Sequence, residues 1–312
     1  DTRDWSSDVC SSDLEQVLED IIKSGADIVF CVGPQMMPNS LKVAVEHPEV
    51  YILNCSLNAP HPYIRTYYGR MYEAKFLAGM IAGAVTDNER VAYIADYPIY
   101  GMIANINAFA LGVASVNPRA KVYLAWSKTK DYDRNKFLEE NDLHYVSDQD
   151  IITPNDASRY FGLYKLQDGQ ALNLAMPIWN WGVFYEKLLQ SVLAGSYKAE
   201  GQEQVKALNY WWGMSAGVID LICSKHVPYG VKRLADHLKS DITKGEVVPF
   251  FGQIYNQKGE LKNKGEHDMK PSDIMKMDWL VDNVVGSIPP MSEFVDNAKM
   301  VVELKGVEEN KL

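Results

Sequence analysis

Four short apolar runs constrain this chain more than any other feature: "ADIVFCVG", "EVYILNCS", "RVAYIAD" and "KVYLAWS". Each is continuous rather than alternating, which is the pattern of a strand covered on both faces, as in a parallel sheet between helices. Segments with helical spacing separate them. "LEQVLEDIIKSG" places Leu14, Val17, Leu18, Ile21 and Ile22 on one stripe and stops at Gly25, and "SLKVAVEHP" is a short helix ended by Pro48. "RMYEAKFLAGMIAGAV" carries Ala74, Ala78, Gly79, Ala82 and Gly83, small residues that let a helix lie close against a sheet, and "ANINAFALGVASVNP" follows the third strand. The repeat of strand and helix predicts an α/β fold with an open, doubly wound sheet.

Past Trp126 the pattern changes. A helix over "YDRNKFLEEND", strands at "LHYVSDQD" and "DASRYFGLY", and a strand leading into a long helix in "ALNLAMPIWNWGVFYEKLLQSVLAG" predict a second α/β lobe. "VVPFFGQIYNQKGEL" reads as a hairpin with "QKG" at its turn. The expected organisation is therefore a leader over 1–14, an N-terminal lobe over 15–126, a C-terminal lobe over 127–250 and a hairpin and arm over 251–312.

The leader is set apart by composition. "DWSSDVCSSDL" has neither helical nor strand spacing, and neither the basic start nor the apolar run of about 7 to 15 residues that a secretion signal needs. Back-translated, it resembles the read-through of a sequencing-library adapter, so Asp1–Leu14 is expected to be non-native and to pack against nothing. Among 312 residues the net charge is −10, of which the leader's four acids and one Arg supply −3, leaving −7. That balance, without a Lys/Arg cluster, argues against nucleic acid as a partner. No apolar run is long enough to span a membrane. With Cys10 set aside, Cys31, Cys55 and Cys223 remain, the first two in strand-like runs that suit buried free thiols. The six histidines have no metal spacing, and no cofactor is implied.

The sequence has no phosphate loop and no paired cysteines. Asp148 and Asp150 in "SDQD" read as a solvated loop rather than an acid/base pair. The aromatic residues say more. Trp181, Phe184, Tyr185, Leu188, Leu189 and Val192 form one helical stripe, which makes Trp181 core, while Trp179 falls at the end of the preceding strand. Ligands of open α/β sheets bind outside the carboxyl ends of the strands. The same position selects Asn54, Asp96 with Tyr97, Trp126 and Tyr164. Together with Trp179 they describe a site of aromatic rings and neutral polar groups with few cations, suited to stacking on a flat uncharged heterocycle.

Four segments, "EHPEVYILNCS", "YYGRMYEAKFLAGMIAG", "RVAYIADYPIYGMIANINAFALGVASVNPRAKVYLAWS" and "NLAMPIWNWGVFYEKLLQSVLAGSY", resemble in order and spacing the basic membrane protein family of transporter substrate-binding lipoproteins. The resemblance runs from Glu15 to about Pro290, with "AKFLAGMIAG" and "PIWNWG" its most specific pieces. It implies a type I periplasmic-binding-protein fold whose two lobes close on a purine nucleoside or base. It also implies delivery to an ABC permease outside the cytoplasm and anchoring by a lipidated cysteine. Asn54 stands where many members carry an Asp. The family's first strand and its Asp-rich ligand loop have no counterpart here, so the first lobe is expected to be incomplete, with "DIVFCV" and "VAYIA" showing exposed apolar surface. Two other classes share the fold: the effector-binding half of a transcriptional regulator, and a sugar- or nucleoside-processing enzyme.

Overall fold

The computed structural model describes residues 11–33, 36–57, 63–148, 159–195 and 210–307. The chain forms two compact units, one of residues 1–68 and 186–211, the other of residues 69–185 and 212–312. It therefore passes between them three times.

The first unit contains a four-stranded sheet in the order β1 (Ile28–Cys31), β2 (Tyr51–Cys55), β3 (Arg65–Gly69), β9 (Tyr210–Trp212), with β1, β2 and β3 parallel. Helices α1 (Ser11–Lys23) and α2 (Met37–Glu46) supply its core, in which Leu18, Val43 and Ala44 pack on Val29, Cys31, Ile52 and Ile64. The expected boundary of the leader shifts here. Ser11–Leu14 form the first turn of α1, and Leu14 packs against this core, because the apolar stripe of the helix already begins at Leu14. Residues 1–10 lie outside the described residues. Among the described residues β1 stands at the edge of this sheet, with Val29 and Cys31 buried and Val32, just beyond it, 69 % exposed.

The second unit is built on a seven-stranded sheet. Its order is β10 (Ile219–Cys223), β8 (Gln170–Trp179), β7 (Leu163–Gln167), β6 (Tyr145–Ser147), β4 (Arg90–Ala95), β5 (Lys121–Trp126), β13 (Val284–Val285). Strands β6, β4, β5 and β13 are parallel, and β7, β8 and β10 add on antiparallel. Two expectations fail at β4. "VAYIA" is wholly buried, because β4 does not belong with β1 but lies inside the larger sheet, between β5 and β6. For the same reason the lobes do not divide at Trp126: β5 shares one sheet with β6, β7, β8 and β10. Nor is the C-terminal arm separate. Strand β13 extends the sheet beside β5, and the arm is sewn to helix α4 (Met102–Val116) by buried amides. Asn107 donates to the Trp279 carbonyl (2.8 Å) and accepts from the Val281 amide (3.0 Å), and Asn283 donates to the Ala110 carbonyl (2.8 Å). The hairpin of β11 (Gln253–Tyr255) and β12 (Leu261–Lys264) turns where "QKG" placed it.

Helices cover both faces of the parallel strands, as in a doubly wound sheet. On one face α3 (Met71–Val85) and α4 touch backbone to backbone, so the small residues of α3 serve a helix as well as a sheet. A Cβ on Gly79 would fall 2.0 Å from the Phe109 carbonyl oxygen, and one on Gly112 2.0 Å from that of Phe76. On the other face α5 (Arg134–Glu140) sets Leu138 against Ala92, Ile94, Val146 and Tyr164.

Candidate functional site

The second unit gathers chemistry at the carboxyl ends of its parallel strands. Asp96 follows β4, Trp126 ends β5 with Ser127 after it, and Asp148 follows β6. The Ser127 hydroxyl donates to the Asp96 carboxylate. Helix α5 starts at the same end because Asp133 caps it, accepting from the Lys136 amide at 3.0 Å, so that Arg134 is its first residue.

Arg134 organises what surrounds it. Its guanidinium lies 3.9 Å from the ring centroid of Tyr160, donates to the Tyr164 hydroxyl at 2.6 Å, and has its Nε 3.6 Å from Asp148 Oδ2. Tyr164 in turn donates its proton to Asp148 Oδ2 at 2.9 Å. Burial, reinforced by the Asp148 charge, pushes the Tyr164 hydroxyl far above the usual phenol range, and Tyr132 is raised by the same two causes. Tyr97, half-buried, is also raised, by burial and then by Asp96. These tyrosines stay protonated at neutral pH and present donors, not charges.

The residues chosen from the sequence fare differently. Asp96, Tyr97, Trp126 and Tyr164 do converge at this end of the sheet. Two of them are already committed: the Tyr164 ring is fully buried, and the Trp126 indole, 6 % exposed, donates to the Ser287 carbonyl at 2.8 Å. Asp96, Tyr97 and Trp179 are half-buried. Trp179 lies at the same end of the sheet but farther out. Its strand β8 continues four residues beyond Ala175, the partner of Leu163, which carries Trp179 about 13 Å along the strand direction. There it pairs with Ile219. Asn54 belongs to the first unit, where it is fully buried, donating to the Gly33 carbonyl (2.9 Å) and accepting from the Ser56 hydroxyl (2.7 Å). It holds the ends of β1 and β2 together.

Sequence reasoning missed Arg134, Tyr160 and Asp148. The reading of Asp148 as a solvated loop residue is overturned: its side chain is 9 % exposed, hydrogen-bonded and ion-paired. The strand-end rule applied to its neighbours would have found it after "HYVS". Asp150 lies outside the described residues. The expectation of few cations also changes, since Arg134 sits at the centre, neutralised by Asp148. The described cysteines, Cys31, Cys55 and Cys223, are free thiols, and burial raises Cys31 and Cys223. Among the described residues no group of three or more His, Cys, Asp or Glu could hold a metal ion, and no helix is long and apolar enough to cross a membrane.

The sheet order defines a periplasmic-binding-protein-like α/β fold. Solved structures share it. A solute-binding protein of an ABC transporter system from Conexibacter woesei superposes with TM-score 0.52 at 17% identity, covering 77% of this chain and 84% of that one. A transcriptional activator of the comK gene from Bacillus halodurans does so with TM-score 0.56 at 14% identity, covering 77% and 87%. The family model for PnrA-like ABC transporter substrate-binding proteins (Bmp) matches residues 4–159, and the chain belongs to that family. It is a substrate-binding component of an ABC transporter, not an enzyme, and it works outside the cytoplasm with a small-molecule ligand and a permease. A purine-binding protein of Brucella abortus is 26% identical over 291 residues, covering 89% of this chain and 81% of its own length. A Haloferax volcanii protein named as an ABC transporter glucose-binding protein is 29% identical over 228 residues, 69% of this chain and 56% of its own length.

Proposed function

We propose that the chain captures a purine nucleoside or nucleobase for import, with Trp179 and Tyr97 as the stacking rings and Asp96 reading the polar edge of the base. The observation that carries this is the division of the strand-end residues by exposure. Trp126 and Tyr164 are consumed by packing and hydrogen bonds, whereas Asp96, Tyr97 and Trp179 keep part of their surface open. A half-exposed ring beside a carboxylate suits a flat heterocycle with N–H donors on its edge. The Arg134 guanidinium is paired with Asp148 and stacked on Tyr160, which leaves it little attraction for a free phosphate. The name of the Brucella relative supports the same class of ligand, and that of the Haloferax relative sets glucose as the competitor to test.

Calorimetric titration with guanosine, adenosine, adenine, guanine and glucose tests the reading. One-to-one binding of at least one purine, nearly independent of salt, is expected; heat with glucose alone, or with none of the five, overturns it. The lipid anchor that the resemblance implies is a separate proposal. Incorporation of a labelled fatty acid into the natural gene product is expected, and its failure refutes the anchor without touching the ligand.

A further inference from the structure

We infer that Glu73 is a positioning residue for solute binding: its carboxylate holds the tight turn Gly213–Val218 and, through that turn, Asn180 and Trp179. The inference rests on the proposed role of Trp179 in stacking the ligand.

Glu73 lies in the first turn of α3 and is 7 % exposed. A carboxylate serving only its own helix would accept from that helix's free amides. Instead Oε2 accepts from the Met214 amide, 141 residues away, at 2.6 Å. The fit is tight. A Cβ on Gly213 would lie 2.3 Å from Oε2 and 2.4 Å from Oε1, so only glycine allows the carboxylate this close. Beside it the Arg70 amide donates to the Trp212 carbonyl at 2.7 Å, and Trp212 packs on Phe184 with ring centroids 4.9 Å apart.

From Met214 the constraint passes along one short path. The Ala216 and Val218 amides donate to the Gly213 carbonyl, each at 3.2 Å, and the Gly217 amide to the Met214 carbonyl at 2.9 Å, closing the turn on itself. The turn then grips the end of β8 twice. The Asn180 amide donates to the Val218 carbonyl at 2.7 Å, and the Asn180 side chain donates to the Gly217 carbonyl at 2.9 Å. Trp179 precedes Asn180 and pairs with Ile219, which follows Val218. Moving the turn therefore moves the ring. A buried carboxylate that keeps its hydrogen bond is costly to disturb, which makes it a firm anchor for such a chain.

The latch carries its own reporter. Burial raises the Glu73 carboxyl above the ordinary glutamate value of 4.5, while the Met214 amide and the Arg70 guanidinium, 4.0 Å away, pull it back in part. Tyr72 is the other ionisable group coupled to it, and the turn Gly213–Val218 contributes none. In ligand-free protein the NMR signals of the Met214 amide and the Trp179 indole N–H, the latter assigned by its loss in Trp179→Phe, are expected to shift together with pH. Their common midpoint should lie above 4.5, and neither should titrate in Glu73→Gln. A Met214 amide that titrates while the Trp179 indole stays fixed overturns the inference, as does a shared titration that survives Glu73→Gln. Gly213→Ala, which forces the carboxylate away, is expected to weaken the affinity for whichever purine binds by roughly tenfold, the size of coupling typical within one hydrogen-bond network. Unchanged affinity in that variant overturns it too. Failure of the wild-type protein to bind any purine would refute the ligand reading alone, since the NMR result needs no ligand.

Discussion

Two groups of side chains stand at the same end of one sheet and are built on opposite principles. Around Arg134 the polar side chains turn to one another: the guanidinium donates to a tyrosine hydroxyl, that hydroxyl donates to a carboxylate, and the carboxylate lies 3.6 Å from the guanidinium Nε as an ion pair. Around Trp179 the support comes from backbone, through a turn that closes on itself and is pinned by one distant carboxylate. The first arrangement is turned in on itself and offers little to a ligand. The second leaves a ring partly open while fixing where it stands. On the proposed reading, a strand-end residue faces ligand only where its neighbours leave it surface, as at Trp179 and not at Trp126 or Tyr164.

The largest expected effect falls on the group around Arg134. Arg134→Ala leaves the Asp148 carboxylate buried without its cation, and should lower unfolding stability by about 3 to 5 kcal/mol in denaturant titrations. A loss under about 1 kcal/mol, the value of an exposed pair, would show that the cluster is wetter than its geometry says. Trp179→Ala should do the reverse: little change in stability, but about 1 to 3 kcal/mol of binding, the value of stacking one base on one ring. Equal losses in both measurements would erase the distinction between the two groups. Next comes Tyr164→Phe, which removes a donor from Asp148 and an acceptor from Arg134 and should cost about 1 to 3 kcal/mol of stability.

The smallest effect concerns pH. Because burial raises the Glu73 carboxyl, the native state holds that proton more tightly than the unfolded chain. Its contribution to stability is therefore greatest below 4.5 and declines as pH rises from there through the folded value. Measured against wild type, Glu73→Gln should gain relative stability across that interval as pH increases. A difference between the two proteins that is flat with pH would contradict the burial of this charge.

Much of the fold was legible because it is local. Strands β1, β2, β4 and β5 were visible as continuous apolar runs, α1 and α2 as helices with stop signals, and α3 and α4 as the helical segments between strands, since those patterns need only near neighbours. Sheet order was not. That β4 lies between β5 and β6, and that β13 joins beside β5, are long-range pairings on which local periodicity is silent. The misplaced lobe boundary at Trp126 and the failed expectation of exposure in "VAYIA" both follow from that one gap. The leader failed in another way. Its composition suggested that it packs against nothing, yet Leu14 already belongs to the stripe of α1.

For the candidate site, the strand-end rule selected Asp96, Tyr97 and Trp179 together with Trp126 and Tyr164 and could not separate them, because consumption of a ring by Ser287 or Arg134 is a tertiary event. Asp148 was passed over although the same rule reaches it, since spacing to Asp150 says nothing of an arginine that arrives from another helix. Glu73 carried no signal at all: its partner is 141 residues away and is a backbone amide.

The central claim is that this chain binds a purine against Trp179, with Trp126 a structural ring. It is tested most directly by titrating the best-bound purine into wild type, Trp179→Ala and Trp126→Phe under one set of conditions. The account predicts an affinity reduced by roughly 10- to 100-fold in Trp179→Ala, the equivalent of one lost stacking contact, and nearly unchanged in Trp126→Phe. Wild-type affinity in Trp179→Ala, with the loss falling on Trp126→Phe instead, would contradict it.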